Sequence, residues 1–324
     1  MTRPISKYLA AACLAFVAAA PGGPAGSQTF PARPLVIIHG GGPGGNGDLM
    51  SRSAAAPLGE RLGQSVIVEA KPGAGQSIAM MAVARAAPDG HTLAMLNAGI
   101  SVQAALNKKL QYDMRRDFAP IAMVSTVPVV FVVRPDSPYR NVKDLIDAAR
   151  QQPGKLNFGS LLGTTQHLTG ELFASTADIR WTNVPYTGSA APLTDLLGGR
   201  LDVLVDSLTA LMGQIQANKV RVLAVSTAKR WPTLPDVPAM SETLPGFDVT
   251  SWSGLAVPVA TPSAVREQLE RQMMSIVATD GFAAQVRRYG SEPFNLGSEA
   301  MKRFIDSEVE RWQRVAHSAG VELK

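Results

Sequence analysis

Nine residues near the start of the chain carry its strongest chemical signal: Gly40-Gly41-Gly42-Pro43-Gly44-Gly45-Asn46-Gly47-Asp48. Gly42, Gly44 and Gly47 stand at the spacing G-x-G-x-x-G, and Glu69 closes the next apolar run at a separation suited to a ribose-binding acid. Set between a strand and a helix, such a loop presents unpaired backbone N–H groups and a partial positive charge to an anion. Glycine lets the backbone approach that anion with no Cβ in the way. Six glycines in nine positions exceed what a turn needs, so the segment reads as a ligand loop. Two anions suit it, the pyrophosphate of a dinucleotide and the carboxylate of a small molecule. Asp48 puts a negative charge where a pyrophosphate must sit, and no Lys follows Asn46-Gly47 to build a phosphate loop. The carboxylate is therefore the preferred reading, with a dinucleotide-dependent oxidoreductase as the alternative.

Other reactive side chains form no recognisable machinery. His39, His91, His167 and His317 make no H-E-x-x-H and no pair four residues apart, which argues against a zinc site. His39 ends the first apolar run and could reach a cleft or serve in packing. His167 falls in the first turn of a helix, where bracing a loop suits it better than proton transfer. No G-x-S-x-G elbow occurs. Asp89, Asp113 and Asp236 flank turns. Trp181, Trp231 and Trp312 read as core, and Trp252 as core or cleft wall. The reading is thus a non-enzymatic binder with no cofactor and no metal.

The start of the chain reads as an address. Arg3 and Lys7 precede an apolar run from Tyr8 to Ala20, and Ala25-Gly26-Ser27 offers a cleavage site, with Ala18-Ala19-Ala20 as a second. The run is short of the ~20 residues a membrane span needs. Residues 1–27 are expected to be a signal peptide, cleaved on export to the periplasm, where soluble nicotinamide cofactor is not expected. Cys13 is the only cysteine and leaves with that segment, so no disulfide or thiolate chemistry is expected afterwards. The formal charge of +5 is scattered in pairs such as Arg115-Arg116, without the basic stripe that nucleic acid requires.

The elements that must position the loop alternate along the chain. Leu35 to Ile38 reads as a buried strand, and Val66 to Val68 and Thr92 to Leu96 read as further strands, separated by helical patterns. Asp48 reads as the N-cap of the helix after the loop. Val129–Val133, Leu156–Phe158, Asp202–Val205 and Val222–Val225 continue the strands, with helices at Val142–Gln151, Thr165–Thr176 and Ala190–Leu197, and a helical tail after Pro262. This rhythm predicts an α/β protein whose ligands lie at the carboxyl ends of the strands. Length favours two domains. The chain is expected to cross between lobes near Thr126–Pro128 and near Ser251–Gly254, giving lobe one over 28–127 plus 252–324 and lobe two over 128–251.

The order of several short segments resembles one known family. They include Pro31-Ala32-Arg33-Pro34, Pro43-Gly44-Gly45 with Asp48, Glu69-Ala70-Lys71-Pro72-Gly73-Ala74-Gly75, and Ala87-Pro88-Asp89-Gly90-His91-Thr92-Leu93. Phe158-Gly159-Ser160, His167-Leu168, Val184-Pro185-Tyr186 and Leu234-Pro235-Asp236-Val237-Pro238 follow. Together they resemble the substrate-binding proteins of tripartite tricarboxylate transporters, the TctC-like or Bug family of periplasmic receptors. The resemblance implies a two-lobed, type II-like periplasmic-binding-protein fold of the Venus-flytrap kind, with mostly parallel sheets flanked by helices. It also implies a monomer that hands a small carboxylate to membrane transporter components, or reports it to a sensor protein. By position, one carboxylate would meet Gly42, Pro43, Gly44, Gly45 and Asn46, with Ser101 nearby. Ser160, Gly163, Thr164 and Thr165 would grip it from the second lobe. Thr187, Gly188 and Ser189 would form a third donor set, and Asp206 would face the cleft from a strand end. The chain departs from the family pattern at Gly41-Gly42, Gly47, Gln76 and Asn97-Ala98-Gly99, and in a shorter Gly159–Gly163 loop.

Overall fold

The structure is a computed structural model that describes residues 30–188 and 190–319. The signal peptide expected over residues 1–27, its Cys13 and Ser189 lie outside the described residues. Continuous apolar runs make the inner strands. β1 (Leu35–His39) lies between β2 (Val66–Ala70) and β3 (Thr92–Asn97), parallel to both. A strand covered on both faces needs no polar alternation, which is why Leu35-Val36-Ile37-Ile38 carries none. Its two faces feed separate cores. Leu35 and Ile37 pack with Met50, Ala54 and Leu58 of α1 (Asn46–Leu62) and with α8 (Ser263–Val277) and α9 (Asp280–Arg288). Ile38 packs with Met80 and Val83 of α2 (Ser77–Ala84) and Ile100 of α3 (Ala98–Leu106).

The second lobe repeats the scheme. β5 (Asn157–Leu161) lies parallel to β6 (Thr182–Tyr186) and β7 (Val203–Ser207). β8 (Arg221–Val225) completes this part of the sheet by pairing with a strand shared by both lobes. α4 (Val142–Gln151) and α5 (Thr165–Ala177) cover one face around Phe131, Phe158 and Phe173. α6 (Ala190–Leu197) and α7 (Leu208–Gln216) cover the other around Leu204, Leu208 and Leu211.

Two long strands join the lobes, and their antiparallel pairing departs from the mostly parallel expectation. β4 (Phe118–Val133) pairs with β9 (Thr250–Pro258) as far as Pro128↔Thr250, then from Val129 with β7 and from Val130 with β8. The change of partners falls between Pro128 and Val129. The sequence reading missed β9 and the first half of β4, because Pro120 and Pro128 interrupt an apolar run and proline demotes a strand. The sheet absorbs Pro120 at a register shift between Pro120 and Ala122. β10 (Glu292–Pro293) borders β4 on the first lobe's side.

α10 (Ser298–Ala319) is the third bridge. Met301, Ile305 and Val309 sit in the first lobe's core, and Trp312 sits among Phe131, Phe158 and Phe173 of the second. The tail expected to belong to lobe one therefore packs on both lobes.

Candidate functional site

The glycine loop connects β1 to α1, and its geometry corrects one expectation at once. The N-cap of α1 is Gly45, at φ −75° and ψ 169°, not Asp48. Asp48 sits in the first turn and folds its carboxylate back over the loop. One oxygen accepts the Gly44 N–H at 3.0 Å and the other accepts Arg52 Nε at 2.9 Å. The Gly45 N–H is also engaged, bonded to Gly42 O at 3.2 Å. Pro43 has no N–H to offer. Of the expected loop donors, Gly44 and Gly45 are thus spent internally. The donors at this helix end become the amides of Asn46, Gly47 and Asp48, since no side chain caps the helix and Leu49 N–H closes the first turn on Gly45 O. Asp48 also lies where a dinucleotide pyrophosphate would rest.

His39 lies under this loop, 1% exposed, with Nε2 3.4 Å from Asp48 Oδ1. Burial lowers its pKa, with Arg52 adding to the effect and Asp48 opposing it. Neither ring nitrogen makes a hydrogen bond to a described residue. It is an enclosed imidazole whose burial favours the neutral form, and it does not face solvent.

In the second lobe, Gly163 turns the chain with φ +69° into α5, whose N-cap is Thr164 at φ −115°. The Thr164 hydroxyl donates back to Leu161 O at 2.6 Å, leaving the α5 amides without a side-chain cap. Thr165 is 1% exposed and its Oγ1 has no hydrogen-bond partner among the described residues, an arrangement that native interiors rarely tolerate. Ser160 is buried and its hydroxyl donates to Asn183 Oδ1 at 2.9 Å. His167 braces the turn as the sequence suggested, its Nδ1 accepting the Gly163 N–H at 3.4 Å. Asp206 ends β7, fully buried, and accepts Ser207 N–H at 2.7 Å and Gln166 Nε2 at 3.3 Å. Thr187 and Gly188 are exposed between β6 and α6.

Ser101 and Trp252 lie outside this group. Ser101 is fully buried in α3 with its hydroxyl 3.7 Å from Met114 Sδ, so it packs rather than joins the group. Trp252 is also fully buried, edge-on to Phe304 at 5.9 Å, and serves the core.

Contacts between the lobes close a ring around the space at the strand ends. Asn46 Nδ2 donates to Ser253 Oγ of β9 at 2.9 Å, and Asn46 Oδ1 accepts Thr209 Oγ1 of α7 at 3.4 Å. Thr209 Oγ1 also lies 3.3 Å from Ser291 Oγ. The N-cap of α7 is Ser207, next to Asp206, which is tied by Gln166 to the first turn of α5. On the far side Gln103 of α3 donates to Gly163 O at 2.8 Å, across the gap between lobes. Gly75 makes room for it, since a Cβ there would stand 2.7 Å from Gln103 Nε2. Gln76 then packs on Gly40, which leads back to the loop. The ring brings together Asn46, Gly163 and Asp206 of the expected set, and Thr165 neighbours Gln166 in the first turn of α5. Gln103, Thr209, Ser253 and Ser291 were missed, for they lie in elements without a motif. Among the described residues no group of three or more His, Cys, Asp or Glu could hold a metal ion.

Comparison with known proteins agrees with this architecture. The model of the tripartite tricarboxylate transporter family receptor matches residues 50–321. A UPF0065 protein in the tcbD-tcbE intergenic region of Pseudomonas sp. strain P51 is 36% identical over 291 residues, covering 89% of this chain and 87% of that protein. Among solved structures, R. palustris Rpa4515 with adipate superposes with a TM-score of 0.86 at 34% identity, covering 90% of this chain and 99% of its own. MatC (Rpa3494) from Rhodopseudomonas palustris with bound malate gives a TM-score of 0.81 at 27% identity, covering 88% and 99%.

Proposed function

The chain belongs to the tripartite tricarboxylate transporter receptor family, and from that premise we propose that it captures a small carboxylate-bearing molecule between its lobes in the periplasm and delivers it to a tripartite tricarboxylate-type membrane transporter. The family is one of solute receptors, and in this reading the chain performs no catalysis. The observation that supports the proposal is a pair of helix ends without side-chain caps, one at the glycine loop and one at the Gly163 turn. α1 offers the amides of Asn46 and Gly47, and α5 offers its own with the unpartnered Thr165 hydroxyl. The adipate and malate held by two relatives are the same chemical class.

Magnitudes are adequate without any salt bridge. A hydrogen bond to a charged group contributes about 1.5–3 kcal/mol, and a helix end up to ~2 kcal/mol. Four such contacts on one carboxylate reach about −8 kcal/mol, micromolar binding, after association losses. A ligand touching both helix ends stabilises only the closed arrangement, so binding and closure are one equilibrium.

Thermal-shift measurement on residues 28–324 against organic acids and their neutral isosteres tests this. At least one carboxylate should raise the melting temperature by several degrees. Stabilisation by neutral molecules or dinucleotides, with none by carboxylates, would overturn it.

A further inference from the structure

The first lobe's side of the ring holds two carboxamides that the helix ends leave unused. Gln76 Nε2 donates to Asn97 Oδ1 at 3.0 Å, and Asn97 Nδ2 donates to Gln76 Oε1 at 2.6 Å. Asn97 ends β3 and is the N-cap of α3, while Gln76 is the N-cap of α2, so the pair stands at the carboxyl edge of the sheet. It is continuous with the rest of the ring, because Asn97 lies opposite Ser253, the residue that accepts from Asn46.

The fold gives up ordinary geometry to keep this pair. Gln76 has φ +76°, a left-handed conformation that glycine adopts freely and a side chain adopts under strain. A Cβ on Gly40 would stand 2.4 Å from Gln76 Cβ, and one on Gly99 would stand 3.0 Å from Gln76 Nε2. Neither glycine has a positive φ, so both serve to make room for the glutamine rather than to permit their own backbone. Gln76 and Asn97 are each half-buried, leaving an edge open.

That edge has a definite chemistry. Once bonded to each other, each carboxamide keeps one N–H and part of its carbonyl oxygen unspent. The pair therefore shows donors and acceptors side by side. A carboxylate can use only the donors and meets carbonyl lone pairs at the remaining positions. A primary amide uses both. We propose that Gln76 and Asn97 are specificity-determining residues that read a carboxamide on the ligand, so that the preferred solute is a monocarboxylate with a terminal amide. This rests on the carboxylate reading of the cleft.

Calorimetric titration of residues 28–324 with the half-amides of succinic and adipic acids, each against its parent diacid, tests the proposal. The wild type should bind a half-amide about tenfold or more tightly than the matching diacid, because unmet polar groups penalise the wrong ligand. Gln76→Gly combined with Asn97→Ser should erase that ratio, with a melting temperature near wild type since glycine relieves the backbone at position 76. Gln76→Glu keeps the shape, replaces a donor with a charge, and should also erase it. Equal or reversed preference in the wild type overturns the proposal, as does a ratio that survives in the variants. Failure of both half-amides to bind overturns it too. If another carboxylate then stabilises the protein, the carboxylate reading stands alone; if none does, that reading falls as well.

Discussion

Thr165 and His39 make opposite kinds of residue-scale statement. The Thr165 hydroxyl is buried without a partner, so removing it should cost the fold nothing. Thr165→Val should leave denaturant stability within about 0.5 kcal/mol of wild type or raise it, while weakening carboxylate binding about tenfold. Equal affinity in calorimetry would remove Thr165 from the site. His39 should show in stability instead. Burial holds its folded pKa below the ordinary 6.5, whereas the unfolded chain takes up a proton near that value. Its contribution is therefore present above pH 6.5 and is lost as pH falls through the folded pKa. Urea melts across that range should show the decline in wild type and a flatter profile in His39→Gln. The sequence marked both residues but could not say that both are enclosed, since burial depends on how the loops around them fold. The Asp48 error has the same root. Spacing alone does not separate a capping residue from one three positions further on whose carboxylate folds back to the loop amide before the cap.

Elements that join the lobes hold the next scale of prediction. Gly290 follows α9 with φ +75°, and a Cβ there would stand 2.6 Å from Met212 Cε and 2.7 Å from Leu208 Cγ of the other lobe. Its carbonyl also accepts Trp231 Nε1 at 2.8 Å. Gly290→Ala should lower stability by about 1–3 kcal/mol, read by denaturant unfolding. Glu308 on α10 is buried, accepts Trp312 Nε1 at 3.2 Å and lies 3.5 Å from Arg311 Nη1. Burial raises its pKa above 4.5 against the pull of Arg311. Its favourable contribution is complete below pH 4.5 and is lost as pH rises through the folded pKa. Glu308→Gln should therefore unfold with a smaller loss between acid and neutral pH than wild type. Most strands inside each lobe were legible because buried parallel strands are written as apolar runs, whereas α3, β6 and α7 went unread. β9 and the first half of β4 were not, because Trp252, Ser253 and Gly254 break one run and Pro120 and Pro128 break the other. Such strands are specified by partners far away in sequence, not by their own pattern.

The protein works as two lobes whose relative position a ligand can shift. Gln103–Gly163, Asn46–Thr209, Thr209–Ser291 and Trp231–Gly290 are hydrogen bonds between the lobes, beside the packing of α10 on both. At about 1 kcal/mol each they amount to a few kcal/mol, small enough for a ligand to tip the balance. Gln103→Ala should enlarge the radius of gyration of the ligand-free protein in X-ray scattering, and a saturating carboxylate should restore it. The two-lobed plan was legible from the alternation of elements, and the ring was not, because it is assembled from single residues of six elements. The most direct test is a crystal structure with the carboxylate that stabilises the protein best. The account predicts carboxylate oxygens about 2.7–3.2 Å from the amides at the start of α1 and from Thr165 Oγ1. A ligand bound away from both helix ends, or a gap filled by the protein's own side chains, would contradict it.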